Sequence, residues 1–326
     1  MTANWCIFGN SAFFSRRHMV HSNIRLGKGV YGGMKRQWKA DLALVLVTLF
    51  WGLSYYLVDL SLEELPEMTL NAMRFVLAFC LLAVIFRKRV FAASKATLKY
   101  SFYVGILLVF VYFGSTFGIA RTSLSNASFI CALPVVTTPL LDFLVNRRKP
   151  EKRLGFSLVL CTIGLAMMTL NENLSMNSGD LLCLICAVSY GADMIVTERA
   201  VGKAEVDPLA MGVIELGVAG AVMAVIAFLT EQPVLPQSPA VWGSVLFLSI
   251  CCTGVAFVVQ TVAQQYTTAT HVGLIFTLEP VFSGIVAFFI AHERLLPRGY
   301  IGAGLMLVSF VVMELDWGKV WKRKSS

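Results

Sequence analysis

The sequence predicts an all-α integral membrane protein with ten transmembrane helices arranged as two inverted five-helix repeats. Between Ala40 and Asp316 it carries ten apolar stretches of about 17 to 24 residues, and a helix needs about 20 to cross the roughly 30 Å hydrocarbon core. Composition agrees: 57% hydrophobic and 14% charged residues would leave a soluble domain of 326 residues too little polar surface. The third observation is duplication, since the last five stretches repeat the pattern of the first five. Five is odd, so the second copy enters the bilayer upside down relative to the first.

The spans are expected at about 40–58, 67–86, 98–118, 123–145 and 154–170, then at about 179–197, 208–229, 240–262, 270–290 and 299–315. Basic residues mark many of the gaps. Arg87-Lys88-Arg89 with Lys95 and Lys99 divides spans two and three, and Arg147-Arg148-Lys149 with Lys152 and Arg153 divides four and five. Arg199 and Lys203 follow span six; Arg294 and Arg298 follow span nine. Spans eight and nine are divided by the uncharged Gln264, Gln265 and Tyr266. The division is required, because an unbroken helix over 241–290 would be about 75 Å long. The expected domains are a basic cytosolic tail (1–39), a first repeat (40–170), an inverted second repeat (171–316) and a basic cytosolic tail (317–326).

Charge fixes the expected orientation. With both termini cytosolic, 23 of the 27 Lys and Arg lie inside; Arg121, Arg294 and Arg298 lie outside and Arg74 lies in the membrane. The net charge of +8 therefore reads as a topology signal and not as a nucleic-acid surface. The expected location is the plasma (cell inner) membrane. No short apolar region with a small-residue cleavage site precedes span one, so no cleaved leader is expected. Met34, followed by Lys35, Arg36 and Lys39, has the form of a native start. Cys183 and Cys186 make a C-x-x-C, but inside an apolar helix with no second pair they read as small apolar residues.

The repeat is visible in residues. Span one opens Asp41-Leu42 and reaches Trp51-Gly52; span six opens Asp180-Leu181 and reaches Tyr190-Gly191 at the same spacing. Ala132-Leu133-Pro134-Val135 in span four matches Thr277-Leu278-Glu279-Pro280-Val281 in span nine. A mid-span proline removes a helix hydrogen bond, so Pro134 and Pro280 are expected kinks that can serve as gates in a transporter, although membrane helices also tolerate proline without any role.

Ionisable groups inside a membrane are costly, which makes them the first candidates for a site. Arg74 and Glu215 lie eight residues past Pro66 and Asp207, about 12 Å deep from opposite sides. They are expected near the midplane, where they can pair, bind the two ends of a zwitterionic substrate, or switch between those partners. Glu279 beside Pro280 and Asp193 in span six are further substrate or proton-coupling candidates, Asp193 expected at the inner vestibule. Trp51 and Tyr190 hold equivalent positions and either frame an aromatic cavity or pack ordinary helices. Asn126 and Ser128 are candidate polar contacts at the outer start of span four. His271 and His292 lie at opposite ends of span nine, so they share no metal.

Phe50-Trp51-Gly52-Leu53-Ser54, Arg74-Phe75, Ser125-Asn126-Ala127-Ser128-Phe129 leading to Pro134, and Leu278-Glu279-Pro280-Val281-Phe282 with His292-Glu293-Arg294-Leu295 resemble the EamA-like branch of the drug/metabolite transporter superfamily. The resemblance covers about residues 40–315. It implies a secondary-active transporter, read as an exporter, of small metabolites, amino acids or related compounds first, by alternating access around a midplane cavity between the repeats. The alternative it leaves is efflux of drugs or other amphipathic metabolites, and a different class is a non-transporting receptor or scaffold. No cofactor is expected; the expected partners are a small-molecule substrate, the lipid bilayer and protons as coupling ion, with no nucleic acid. The chain has no H-E-x-x-H, no G-x-x-x-x-G-K and no soluble domain, which argues against an enzyme and against an ATP-driven pump.

Overall fold

The computed structural model describes residues 26–119, 121, 130–147, 152–169, 178–290 and 297–314. Among them every regular element is helical. The first half holds α1 (Leu26–Leu62), α2 (Glu67–Ile85), α3 (Lys95–Ile119), α4 (Pro134–Asn146) and α5 (Lys152–Thr169), with a short helix, Arg87–Phe91, between α2 and α3. The second holds α6 (Ser178–Val201), α7 (Pro208–Thr230), α8 (Pro239–Ala263), α9 (Ala269–Phe276 continued by Glu279–Ile290) and α10 (Pro297–Glu314). Seven of these, α1, α2, α3, α6, α7, α8 and α9, are long and apolar enough to cross a membrane, while α4, α5 and α10 contain shorter apolar helices.

Two boundaries differ from expectation. Helix α1 begins at Leu26 and not near Ala40, and it contains Met34. Nothing stops it, because no proline lies between Leu26 and Pro66. Helix α6 runs on to Val201, and its last turn is tied to α9: Glu198 Oε2 accepts the Ala269 N–H at 2.8 Å.

Helices α2 and α7 run antiparallel against each other. The start of α2 meets the end of α7, where Glu231 accepts the N–H groups of Met68 (2.9 Å) and Thr69 (2.8 Å) and the Thr69 hydroxyl (2.8 Å). At the other end Arg89 Nη1 lies 3.5 Å from Asp207, which caps α7 by accepting from Leu209 and Ala210 N–H. Helices α5 and α10 are antiparallel too, since Ser309 near the end of α10 donates to the Ser157 carbonyl near the start of α5 (2.7 Å). Helix α3 packs on α6 and α7, α1 packs on α9, and α4 packs on α6.

Glycine sets the last two crossings. A Cβ on Gly52 would stand 2.7 Å from Phe282 Cβ and 2.8 Å from Ser283 N on α9, and one on Gly191 would stand 2.8 Å from Thr137 Oγ1 on α4. The Trp51-Gly52 and Tyr190-Gly191 pairs thus do the same work in each half: the glycine admits a neighbouring backbone and the aromatic ring precedes it.

Glu231 supplies the acceptor that Pro66 cannot, because α2 has no side-chain cap of its own. Glu231→Ala should destabilise the protein by about 1 to 2 kcal/mol, the usual loss for a helix cap. Thermal unfolding in detergent reads this directly, and an unchanged midpoint would show that the α2 terminus is held by something else. Helix α8 has its own cap, Ser238, whose hydroxyl accepts from Val241 N–H, and Glu64 holds the residues at and before that cap. The Ser238 hydroxyl, then the Gln237 and Ser238 N–H groups, hold the Glu64 carboxyl below the usual range.

Candidate functional site

A cavity of about 170 Å³ lies among α1, α2, α3, α6, α8, α9 and the residues leading into α4. Both broken helices face it. Pro280 has no N–H, so the Phe276 carbonyl loses its α-helical donor and the chain turns: Thr277 N–H reaches Leu274 O (3.2 Å), Leu278 N–H reaches Ile275 O (3.0 Å), and the helix restarts at Glu279. Before Pro134 the same turn appears, with Leu133 N–H on Ile130 O at 3.1 Å. Pro134, Pro280 and Glu279 all line the cavity.

One wall is aromatic. The Trp51 ring centroid lies 4.7 Å from that of Phe276, 5.7 Å from Phe257 and 6.2 Å from Tyr190, and Tyr190 stacks on Phe276. Trp51 is fixed by its indole N–H, which donates to the Cys252 carbonyl at 2.8 Å. That carbonyl is available because α8 contains a π-helical segment, Leu248–Val255. The Ala256 N–H reaches the Cys251 and Thr253 carbonyls and passes over Cys252. Such π segments are common at functional sites.

The same segment holds Arg74. Its Nε donates to Thr253 Oγ1 at 2.9 Å, and its guanidinium lies 5.1 Å from the Tyr112 ring centroid. Arg74 is 4% exposed and lines the cavity, and the terminal nitrogens have no hydrogen-bond acceptor among the described residues. Beside it Asn71 Nδ2 donates to Thr116 Oγ1 (2.9 Å), and both residues line the same wall.

Arg74 and Glu215 do not meet. Arg74 is bound at Thr253, whereas Glu215 accepts from Thr261 Oγ1 at 2.9 Å, eight residues or about 12 Å farther along α8. Each lies eight residues into its own helix but from opposite ends of the antiparallel α2–α7 pair, where Gly220 packs on Val76 and Gly217 on Phe79, so the two stand about 10 Å apart along it. Asp193 does not line the cavity either; it is 1% exposed and bound by Gln260 Nε2 at 3.4 Å. Asn126, Ser128 and His292 lie outside the described residues. Phe257, Phe276, Thr253, Gln260 and Thr261 were not singled out from sequence. A lone amide in the apolar run of α8 was the one visible signal, for Gln260.

A many-helix apolar fold around an internal cavity defines a polytopic membrane protein. The profile of the EamA-like transporter family matches this sequence twice, over 38–170 and 177–315, and the chain belongs to that family of membrane transporters. It is 29% identical over 287 residues to an uncharacterized transporter of Archaeoglobus fulgidus, covering 87% of this chain and 88% of the relative. The uncharacterized transporter YoaV of Bacillus subtilis is 24% identical over 281 residues, covering 82% and 94%. The uncharacterized inner membrane transporter YedA of Escherichia coli K12 is 25% identical over 286 residues, covering 84% and 90%. A solved structure 17% identical in sequence superposes with a TM-score of 0.70 over 88% of this chain and 99% of its own, so the fold is shared.

Proposed function

We propose that the protein is a ten-helix secondary-active exporter of small zwitterionic metabolites, amino acids first, working by alternating access around the cavity between two inverted repeats. The observation that carries the substrate class is Arg74: a buried guanidinium on the cavity wall, held at Nε and over Tyr112, with its terminal N–H groups left for an occupant. A carboxylate takes a guanidinium fork in two parallel hydrogen bonds. Glu279 puts a carboxyl group on the wall of the same cavity, the chemistry that suits an ammonium, and the aromatic wall suits an apolar side chain.

Inversion is supported by the antiparallel pairing of α2 with α7 and of α5 with α10, each helix with its counterpart in the other copy. The equivalent crossings at Gly52 and Gly191 support it as well. The prolines at the two helix breaks stand at matching points of the repeats, where a hinge would open the cavity to one side and then the other. The basic residues that flank α2, α3 and α6 support cytosolic termini in a plasma or inner membrane.

The test is flux into liposomes containing the purified protein, with L-phenylalanine, its deaminated acid and its decarboxylated amine as three labelled solutes. L-phenylalanine should move and the two fragments should move at least about tenfold more slowly, the loss expected when one charged contact is missing. Glu279→Gln should narrow the gap between L-phenylalanine and the acid. Equal transport of all three would favour the amphipathic-efflux reading; transport of none would sink the amino-acid assignment.

A further inference from the structure

Outside the cavity, α6, α7 and α8 enclose a second polar cluster that substrate binding does not use. Asp193 and Glu215 are each 1% exposed. Adjacent residues of α8 hold them: Gln260 Nε2 donates to Asp193 Oδ1 at 3.4 Å, and Thr261 Oγ1 donates to Glu215 Oε1 at 2.9 Å. The other oxygen of each, Asp193 Oδ2 and Glu215 Oε2, is buried with no hydrogen-bond partner among the described residues.

Four cations of the neighbouring helices are engaged elsewhere. Arg74 of α2 is at Thr253, His271 of α9 lies 3.3 Å from Asp41 of α1, Lys99 of α3 lies over the Tyr103 ring, and Arg89 beyond α2 pairs with Asp207. Glu198 of α6 caps α9. The titratable group in line with the cluster is Tyr190, whose hydroxyl donates to Gln260 Oε1 at 2.9 Å. A carboxylate in so dry a place, with one oxygen unpartnered, is destabilised by desolvation, and taking up a proton removes that penalty. The proton then sits on an oxygen that otherwise has no partner.

We propose that Asp193 and Glu215 form a proton-binding site, separate from the solute cavity, that couples solute movement to proton movement. The coupling rests on the transporter reading above; the site itself does not. The link to the solute is Gln260. Its nitrogen touches Asp193 and its oxygen touches Tyr190, a cavity wall residue, so a solute that orders Tyr190 and a proton that neutralises Asp193 act on the same amide. The chemistry is reversible protonation only: a carboxylate takes a proton from one side of the membrane, becomes a carboxylic acid, and returns the proton to the other.

Two measurements on the full chain test this. Infrared difference spectra of the purified protein at neutral pH should show a carboxylic-acid carbonyl band that shifts in deuterated water and is lost in Asp193→Asn or Glu215→Gln. No such band in the wild type, or one that survives both substitutions, overturns the site. In liposomes holding a pH-sensitive dye, an L-phenylalanine gradient should move protons together with solute, and in either variant the protons moved per solute should fall to zero. Solute flux without proton flux in the wild type, or flux that follows sodium instead, overturns the coupling. If the wild type moves no L-phenylalanine, the substrate assignment fails while the infrared result still decides the proton site.

Discussion

Arg74→Ala should abolish saturable L-phenylalanine binding at concentrations that saturate the wild type. Removing one partner of a buried charged contact costs about 3 to 4 kcal/mol, a weakening of roughly a hundred- to a thousandfold. Three features make Arg74 hard to replace. The Nε bond to Thr253 fixes the plane of the fork, Tyr112 covers one face, and the remaining N–H groups line the cavity. Lysine keeps the charge but presents a single ammonium on a flexible stem, so Arg74→Lys should recover only part of the loss. Calorimetric titration of the purified variants measures this, with an unchanged elution profile on size exclusion as the check that the fold persists. Wild-type affinity in Arg74→Ala would remove the residue from the site.

Much of the architecture was legible because a membrane helix declares itself by length. Apolar runs of about 20 residues, basic gaps and two prolines at matching positions placed most helix ends within a few residues. The twin aromatic-glycine pairs were legible too, although their reason was not: the glycines serve the crossings of α1 with α9 and of α6 with α4. Burial was readable for Arg74 and Glu215, since eight residues from a helix end lies well inside the bundle. Direction was not. Each residue turns about 100° around the helix axis, and which neighbour a side chain meets depends on packing that no single sequence displays. This is why Arg74 faces the cavity and Glu215, equally far into its own helix, faces Thr261 of α8. The π-helical segment of α8 was invisible for a related reason. Leu248–Val255 continues the apolar run of its flanks, and a shift in hydrogen-bond register leaves no mark on composition.

That segment is also where the second large effect is expected. Trp51 spans the two halves, with its ring against Phe257, Phe276 and Tyr190 and its N–H on Cys252 O. Trp51→Ala should lower stability by about 3 to 5 kcal/mol, the range for emptying a buried aromatic position. It also strands the Cys252 carbonyl, which the helix itself leaves without an α-helical donor. Trp51→Phe separates the two contributions. Phenylalanine keeps most of the ring contacts but has no N–H, so its deficit of about 1 to 3 kcal/mol measures the unsatisfied carbonyl. Chemical unfolding of both variants in the same detergent gives the two numbers. If Trp51→Phe is as stable as wild type, the indole hydrogen bond does not hold α1 to the π segment. If it is less stable, the segment that also positions Arg74 through Thr253 has lost its anchor, and L-phenylalanine affinity should fall in the same variant although Arg74 is untouched.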